Sequence, residues 1–462
     1  MGSTIGAGIL ALPEVTAAAG FAPSAATLCG VWALLTAEAL LLAEVNLAIL
    51  ARRPPSSAGD VVTLREMALI SFGPAGSHCV SAAYLALSYT LSVAYISKAS
   101  DLASGFLGLD SAAGAALFTA VVGATLAAGA RVVDGANRGA TVALLALYAA
   151  IVASGASSAH WPELARADWA AAPAAIPVVL LSLVYHDLVP VVCAQLGGDA
   201  GKVRTALIAG SAAPLAMFLA WDGVALALGG GDGGDPLTAL ASSGGPLLSG
   251  AIAAFSMLAL ATSALGNSLG LSETVAAELR GLLRTAGADV AASTDGDDDD
   301  EVDAASTAAT IPFAAAPVRA AALALVLAPP LFASVAHPGS FIAALNVAGG
   351  YGMTLLYGVL PPLMAWRTRE AGREGAAAAV PSLLPGGRPL LGALTACAVA
   401  VEVGRLVEDL KPAQVVAAAA DAAATTVASF ADAAVLVAEA VDAVAVVGMA
   451  LGDVLLGGAV VF

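Results

Sequence analysis

The chain has 462 residues, of which 59% are hydrophobic and only 11% are charged, and its formal net charge is −17. Soluble domains carry roughly 25% charged residues, so this composition excludes the soluble classes and indicates an all-α polytopic membrane protein. Much of the negative charge comes from one acidic run, Asp295–Asp303, and from a tail with no basic residue after Lys411.

Apolar stretches of spanning length predict about 11 transmembrane helices, since one crossing needs about 20 residues. Residue 1 already lies inside the first of them, so we expect the inner half of the first helix to precede Met1. The stretches lie at about 1–20, 24–50, 76–107, 112–131, 139–157, 174–196, 203–229, 247–272, 318–336, 340–366 and 388–410.

Basic residues favour one side of this arrangement when the chain starts inside and the sides alternate. The outside loops carry only Arg166 and Lys411, while Lys98 and Arg405 lie within helices. Such a bias is typical of membrane topology, in which inner loops are rich in Lys and Arg. The inside loops carry Arg52, Arg53, Arg65, Arg131, Arg138, Lys202, Arg204, Arg280, Arg284, Arg319, Arg367, Arg369, Arg373 and Arg388.

The first stretch combines an apolar composition with residues that interrupt helices. Each glycine weakens a helix by about 1 kcal/mol relative to alanine, and a broken helix is tolerated in lipid only where it is buried or lines a cavity. The stretch therefore predicts either a frayed terminus or the unwound centre of a discontinuous helix. The interrupting residues are Gly2, Ser3, Thr4, Gly6 and Gly8.

The sixth stretch carries a second interruption, Tyr185–Asp187, flanked by Pro177 and Pro190. A central charge in a membrane helix costs about 2.5–3.5 kcal/mol on insertion scales, so ionisable groups there usually serve a function. The alternative is an ordinary helix end at which His186 and Asp187 meet water.

The two interruptions lie five helices apart and run in opposite directions. This spacing is what a five-plus-five inverted repeat with discontinuous first and sixth helices requires. Free N–H groups at a half-helix start attract a carboxylate, and free carbonyls at a half-helix end attract a cation. The pair of breaks therefore predicts a site for a zwitterionic amino acid.

Several segments resemble the hydroxy and aromatic amino acid permease family, which includes tyrosine- and tryptophan-specific permeases, with plant and algal members the most similar. The resemblance covers about residues 1–410. It rests on Gly2–Pro13, Leu40–Leu47, Val184–Pro190, Leu196–Asp199 with Lys202 and Arg204, Phe255–Ser263 with Gly266, Ser268, Leu269 and Gly270, Ala348–Tyr351 and Leu356–Pro362. Glu14 departs from it, because bacterial members usually have an apolar residue there.

The resemblance implies the amino acid/polyamine/organocation fold with eleven helices, and proton-driven uptake of an aromatic amino acid by alternating access. Sodium coupling, a serine/threonine-type substrate and a non-transporting protein on the same scaffold remain alternatives. We expect an amino acid and membrane lipids as partners, no nucleic acid and no resident cofactor. A plastid membrane is implied, with the plasma membrane or the bacterial inner membrane as alternatives.

The predicted substrate site joins the two interruptions. The backbone of the first is expected to receive the carboxylate and carbonyls of the second the ammonium group, while Phe255 walls the side-chain pocket or simply packs in the core. The predicted residues are Ser3, Thr4, Gly6, Ala7 and Gly8 for the carboxylate, Val184, Tyr185 and His186 for the ammonium group, and Phe255.

Four residues are candidates for ion coupling. His186 either titrates near neutral pH or only orients the broken backbone. Lys98 either faces the cavity with Asp101 or extends along the surface to water. Thr262 and Ser263 either bind Na⁺ beside the first helix or bond to backbone carbonyls four residues earlier. We favour protons over sodium.

The remaining segments predict domain organisation. Residues 1–410 form the permease domain, interrupted by a disordered acidic inside loop at 286–316. Residues 411–462 are an Ala/Val-rich tail, interpreted as an amphipathic helix or one further span. The four cysteines form no metal-binding spacing, so we expect no metal site.

An enzyme is disfavoured as a class. No HExxH or GxSxG motif occurs, and the four histidines lie far apart in the sequence. A channel or a receptor on the same scaffold is left open, as is the oligomeric state.

Overall fold

A computed structural model describes residues 6–53, 61–228, 245–285, 316–373 and 382–409, and every regular element in these ranges is helical. Ser3 and Thr4, residues 286–315 of the predicted acidic loop and the tail from 411 lie outside the described residues.

We number the α-helices in chain order. Short 3₁₀ turns at Trp161–Ala165, Ala172–Ala175 and His186–Leu188 connect some of them. The helices are α1 (Gly8–Thr16), α2 (Phe21–Leu50), α3 (Leu64–Leu107), α4 (Ser111–Ala127), α5 (Ala130–Ser158), α6 (Ile176–Leu183), α7 (Val189–Gln195), α8 (Ala200–Leu228), α9 (Gly245–Thr285), α10 (Ala316–Ala336), α11 (Phe341–Val347), α12 (Leu360–Arg373) and α13 (Gly387–Asp409).

Eight helical segments of the described ranges are long and apolar enough to cross a membrane. One of them, Ala172–Gln195, contains both α6 and α7, and another, Phe341–Gly372, contains α11 and α12. Helix α4 and the segment Ala322–Ala336 are apolar but shorter, and α1 has 9 residues. The protein is therefore a multi-pass membrane protein, while the count of eleven spans stays a prediction.

Helix α3 begins before the predicted stretch at 76–107. The Thr63 hydroxyl accepts a hydrogen bond from the Glu66 backbone N–H at 3.2 Å and caps the first turn. Gly73, with φ of 76°, then kinks the chain just before Pro74. Only glycine adopts this conformation without steric cost, and proline restarts a helix readily.

The interior of the molecule is formed by α1, α2, α6 and α8. Helix α1 packs against α6 and α8, and α2 packs along α8, α12 and α6. The apolar window of α2 is 78% buried, whereas those of α5 and α13 are 22% and 17% buried. The predicted site residues on α1 and α6 therefore lie in the protein interior, away from the lipid-facing helices.

Helices α11 and α12 are joined by two π-helical segments, Ala348–Met353 and Leu355–Val359. A Cβ atom at Gly349 would lie 2.0 Å from the Pro177 carbonyl oxygen, so α6 packs directly on the first π segment. Segments of π-helix often occur at functional sites, and this one lies against the interrupted helix.

Charged contacts anchor the ends of two helices. Near the end of α2, Glu44 accepts from Arg369 Nε at 2.7 Å and Nη2 at 2.8 Å, and from the Leu383 N–H at 3.2 Å. At the start of α8, Asp199 accepts from the Lys202 backbone N–H at 3.0 Å. That hydrogen bond and the nearby Lys202 ammonium hold the pKa of the Asp199 carboxyl below its usual range.

Candidate functional site

The sixth apolar stretch is interrupted where its polar residues lie. Helix α6 ends at Leu183, and the chain becomes extended at Val184 (ψ 137°) and turns at Tyr185 (φ −147°, ψ 15°). A 3₁₀ turn at His186–Leu188 leads into α7. The last carbonyls of α6 therefore have no partner within the helix.

In the described part of the first apolar stretch, helix α1 begins at Gly8. The carbonyls of Gly6 and Ala7 accept from the N–H groups of Ile9 and Leu10 at 3.2 and 3.1 Å. The N–H of Ala7 donates to the Ser263 hydroxyl on α9 at 3.0 Å. The Ala7 N–H, which was predicted to bind the substrate carboxylate, therefore already has a hydrogen bond to Ser263, a candidate sodium ligand.

The two interruptions meet directly. A Cβ atom added at Gly8 would lie 2.4 Å from Ser182 Oγ and 3.0 Å from the Ser182 Cα atom, two residues before Val184. A Cβ atom at Gly6 would approach only the Ser263 side chain, with Oγ at 2.2 Å. Glycine at position 8 is thus what lets the start of α1 contact the backbone of α6.

An aromatic and acidic cluster follows the break. His186 is wholly buried, and its ring centroid lies 5.0 Å from that of Tyr357 and 5.4 Å from that of Tyr185. The Tyr357 hydroxyl donates to Asp187, which is exposed. Within the described ranges neither ring nitrogen of His186 meets the geometric limits of a hydrogen bond. The ring is enclosed by these aromatic groups and lies near the backbone of Leu35 on α2.

Phe255 lies on α9 and has no exposed surface. Its ring centroid lies 5.0 Å from that of Trp221 on α8, and Trp221 in turn stacks on Tyr148 at 6.0 Å. Phe255 therefore packs in the core, and it can wall a side-chain pocket only if this aromatic group separates.

The ion-coupling candidates do not form one cluster, although Thr262 and Ser263 are adjacent on α9. The Lys98 ammonium lies 5.3 Å from the centroid of the Phe341 ring at the start of α11. The Thr262 hydroxyl donates to the Leu258 carbonyl at 2.9 Å, the helix-internal alternative for that residue. Ser263, by contrast, contacts the start of α1, so only Ser263 and His186 border the interruptions.

A groove of about 480 Å³ lies elsewhere, between α3, α4 and α9. Its walls include Phe106, Phe118, Val122, Met257 and Leu265 and are almost entirely apolar. It offers no polar group to orient a zwitterion, and we do not assign the substrate to it.

Some buried polar residues next to the interruptions were not predicted from the sequence. Ser182 and Tyr357 are ordinary residue types in apolar surroundings, so nothing in their local sequence distinguishes them. Glu38 on α2 and Asp222 on α8 are wholly buried acids within apolar stretches. The argument that identified His186, that ionisable residues in membrane helices are costly and usually serve a function, applies to both of them and could have identified them.

Comparison with known proteins gives consistent matches. Tyrosine-specific transport system 1 of Haemophilus influenzae is 29% identical over 393 residues, which cover 80% of this chain and 86% of the relative. Tyrosine-specific transport system 2 of the same organism is 32% identical over 228 residues, covering 48% of this chain and 54% of that relative. The chain thus spans about half the length of the second relative.

A sequence model of the tryptophan/tyrosine permease family matches residues 1–282 and 312–405. The match includes both interruptions, the Gly8–Ser182 contact and the aromatic cluster around His186. The chain therefore belongs to the tryptophan/tyrosine permease family.

Proposed function

We propose that this protein is a secondary active transporter of aromatic amino acids, with tyrosine as the first substrate to test. The observation that carries the proposal is the contact of the two interrupted helices at Gly8 and Ser182. It brings the N-terminal end of α1 beside the C-terminal end of α6 in the protein interior. Both curated relatives are tyrosine-specific transport systems.

The chemistry of these ends matches an amino acid. The backbone N–H groups and positive dipole end at Gly6–Gly8 suit the carboxylate, and the free carbonyls before Val184 suit the ammonium group. The Ser263 hydroxyl holds the Ala7 amide at 3.0 Å and keeps this end of α1 in position until substrate replaces the contact. The aromatic groups around His186 and Phe255 suit a ring.

The transport cycle we propose is proton symport by alternating access on a five-plus-five inverted repeat. His186 is wholly buried, whereas the next residue, Asp187, is exposed. The turn between α6 and α7 thus lies at the boundary of the protein interior, and a small movement of this turn would change the access of water to His186. The inside is the side that carries the basic loops.

Uptake into proteoliposomes tests the function. Reconstituted protein should accumulate radiolabelled tyrosine when the outside is acidic, and unlabelled tryptophan should compete. If only a sodium gradient drives accumulation, the coupled ion is Na⁺ and not a proton. If only serine or threonine accumulates, the substrate is not an aromatic amino acid. If no amino acid accumulates under either gradient, transport itself is contradicted.

Substitution of Gly8 tests the site. Gly8→Ala places a methyl group 3.0 Å from the Ser182 Cα atom, so the two interrupted helices must separate, and we expect at least a tenfold loss of uptake, about 1.4 kcal/mol. Gly266→Ala on α9 is the matched control, because nothing lies within 4 Å of its added Cβ atom. Equal uptake by both variants would contradict the proposed site.

The membrane of residence follows the same family resemblance. We propose a plastid membrane, to be tested with a fluorescent fusion of the full-length protein in cells of its source. Fluorescence confined to the plasma membrane would contradict this location without affecting the transport proposal.

A further inference from the structure

In the described ranges, the buried carboxyl group of Asp222 has one hydrogen-bond contact. That contact is with α1, the helix that carries half of the proposed substrate site. Asp222 is 0% exposed on α8, and its Oδ1 atom lies 2.6 Å from the hydroxyl of Thr16 in the last turn of α1. Within the described ranges its Oδ2 atom is buried and has no hydrogen-bond partner.

The protons in this contact can be counted. Thr16 Oγ1 lies 2.6 Å from Asp222 Oδ1 and 2.8 Å from the Leu12 carbonyl oxygen, and both contacts have hydrogen-bond lengths. A threonine hydroxyl carries one proton, and a carbonyl oxygen carries none. If Asp222 is charged, the Thr16 hydroxyl donates to it and must share its one proton with Leu12. If the carboxyl group is protonated, it can donate to Thr16 while Thr16 donates to Leu12, and each contact then has its own proton.

Among the described residues, no cation is paired with Asp222. Helices α1, α2, α5, α6 and α7 and the turn Trp161–Ala165 pack against α8, and in the described ranges no ion pair joins their titratable groups to Asp222. Glu44 is paired with Arg369, and Tyr148 donates to the Met217 carbonyl. The remaining groups of these elements are the exposed Glu14, Cys29, Arg131, Asp134, Arg138 and Glu163, the buried thiol Cys193, and Glu38, which is buried like Asp222. The exposed Lys202 and Arg204 lie at the other end of α8, and the exposed His160, Arg166 and Asp168 lie in the chain that follows α5.

A short segment closes over the contact. The Asp168 N–H donates to the Ala19 carbonyl at 2.8 Å just after α1, and the His160 N–H donates to the Ala227 carbonyl at 2.9 Å near the end of α8. The segment 160–168 therefore joins the ends of both helices beyond Thr16 and Asp222. Water from this side reaches the carboxyl group when this end opens.

We propose that Asp222 is the residue that binds the coupled proton and that the Thr16 contact links its protonation to the position of α1. When this end is open, the carboxylate takes a proton from water, which forms the O–H bond that is donated to Thr16 on closure. Opening toward the inside moves α1 away from α8, which breaks that hydrogen bond and releases the proton to water on the inside. Because charging a buried acid is costly, the closed contact forms only with the proton bound.

This inference rests on the proposed transport function and deepens it, and Asp222→Asn tests it. The side-chain amide of the introduced asparagine still donates to Thr16 but neither binds nor releases a proton. We expect tyrosine counterflow exchange to persist within about twofold of wild type, while accumulation driven by a pH gradient is lost. The Glu38→Gln variant makes the same change in Glu38, the other buried acid without a described ion pair, and should still accumulate tyrosine.

A second pair of variants addresses the Thr16 contact. Thr16→Val removes the acceptor of the Asp222 proton, so uptake should require a more acidic outside than wild-type uptake does. Thr119→Val is the matched control, because Thr119 is a buried threonine on α4 that donates to the carbonyl four residues earlier at 2.8 Å. Its pH profile should match that of wild type.

Infrared difference spectroscopy gives a readout that does not need transport. The spectrum of wild type at neutral pH should contain a protonated-carboxyl band that is missing from Asp222→Asn. The proposal is overturned if that band is unchanged, if Asp222→Asn accumulates tyrosine normally, or if only Glu38→Gln abolishes accumulation. If wild type itself fails to accumulate tyrosine, the transport proposal fails, and the infrared result still decides the protonation of Asp222.

Discussion

Two buried acids at the ends of neighbouring helices differ in how their charge is compensated. Glu44, near the end of α2, receives both nitrogen donors of Arg369 and a backbone N–H, so both of its oxygens are bonded. Asp222, near the end of α8, contacts one hydroxyl and leaves its second oxygen without a described partner. Both side chains are nearly or wholly buried.

The difference separates a structural acid from a functional one. A fully paired carboxylate holds helices together and has no reason to change its charge, because its desolvation is offset by the guanidinium. A buried acid without a cation has no partner that offsets the cost of burying its charge. It is therefore neutral while buried and can ionise when water reaches it. The two contacts also lie at opposite ends of the helices, Glu44 near the basic loops and Asp222 beyond the interruptions.

The largest effect is expected where the paired acid loses its partner. Arg369→Ala leaves Glu44 buried and uncompensated, so we expect the free energy of unfolding to fall by about 3–5 kcal/mol. Chemical unfolding in detergent measures it. Arg388→Ala removes the exposed pair with Glu370 and should cost less than about 1 kcal/mol. Similar losses in the two variants would contradict a structural role for Glu44.

A much smaller effect is expected at the other acid. In Asp222→Ala the Thr16 hydroxyl keeps its hydrogen bond to the Leu12 carbonyl, so no buried group loses its only partner. The free energy of unfolding should change by less than about 1 kcal/mol, although accumulation is lost. A loss as large as that of Arg369→Ala would show that Asp222 is structural and would remove the contrast.

The smallest effect is expected at an exposed acid just before the helix that carries Asp222. Because the pKa of Asp199 is lowered in the folded protein, its contribution to stability is present above the usual range of aspartate and is lost as the pH falls through the folded pKa. Asp199→Ala should thus lower the unfolding temperature slightly at neutral pH and not at strongly acidic pH. Asp199→Asn keeps a capping oxygen and should show no such pH dependence.

Local sequence patterns predicted the long apolar helices and the break after α6, because hydrophobic length and the cost of polar groups in lipid act over about 20 neighbouring residues. The break falls at Val184 and Tyr185, as the flanking prolines indicated. The N-terminal extension of α3 was missed, since Leu64–Phe72 precedes a glycine kink and is not part of the apolar stretch.

Local sequence patterns could not predict the contacts between residues that are far apart in the sequence. Gly8 with Ser182, Thr16 with Asp222 and Glu44 with Arg369 join residues that only the packing of helices brings together. The sequence marked Gly8 as unusual, but it could not show which backbone approaches it. The sequence spacing likewise related Lys98 to Asp101 but could not show that the Lys98 ammonium lies over the Phe341 ring.

The most direct test of the account is the position of the substrate. Cryo-electron microscopy of the full chain with tyrosine should show the ligand between the two interruptions, with its carboxylate at Gly6–Gly8 and its ammonium group at the carbonyls before Val184. Density for tyrosine in the groove between α3, α4 and α9, with the interruptions empty, would contradict it.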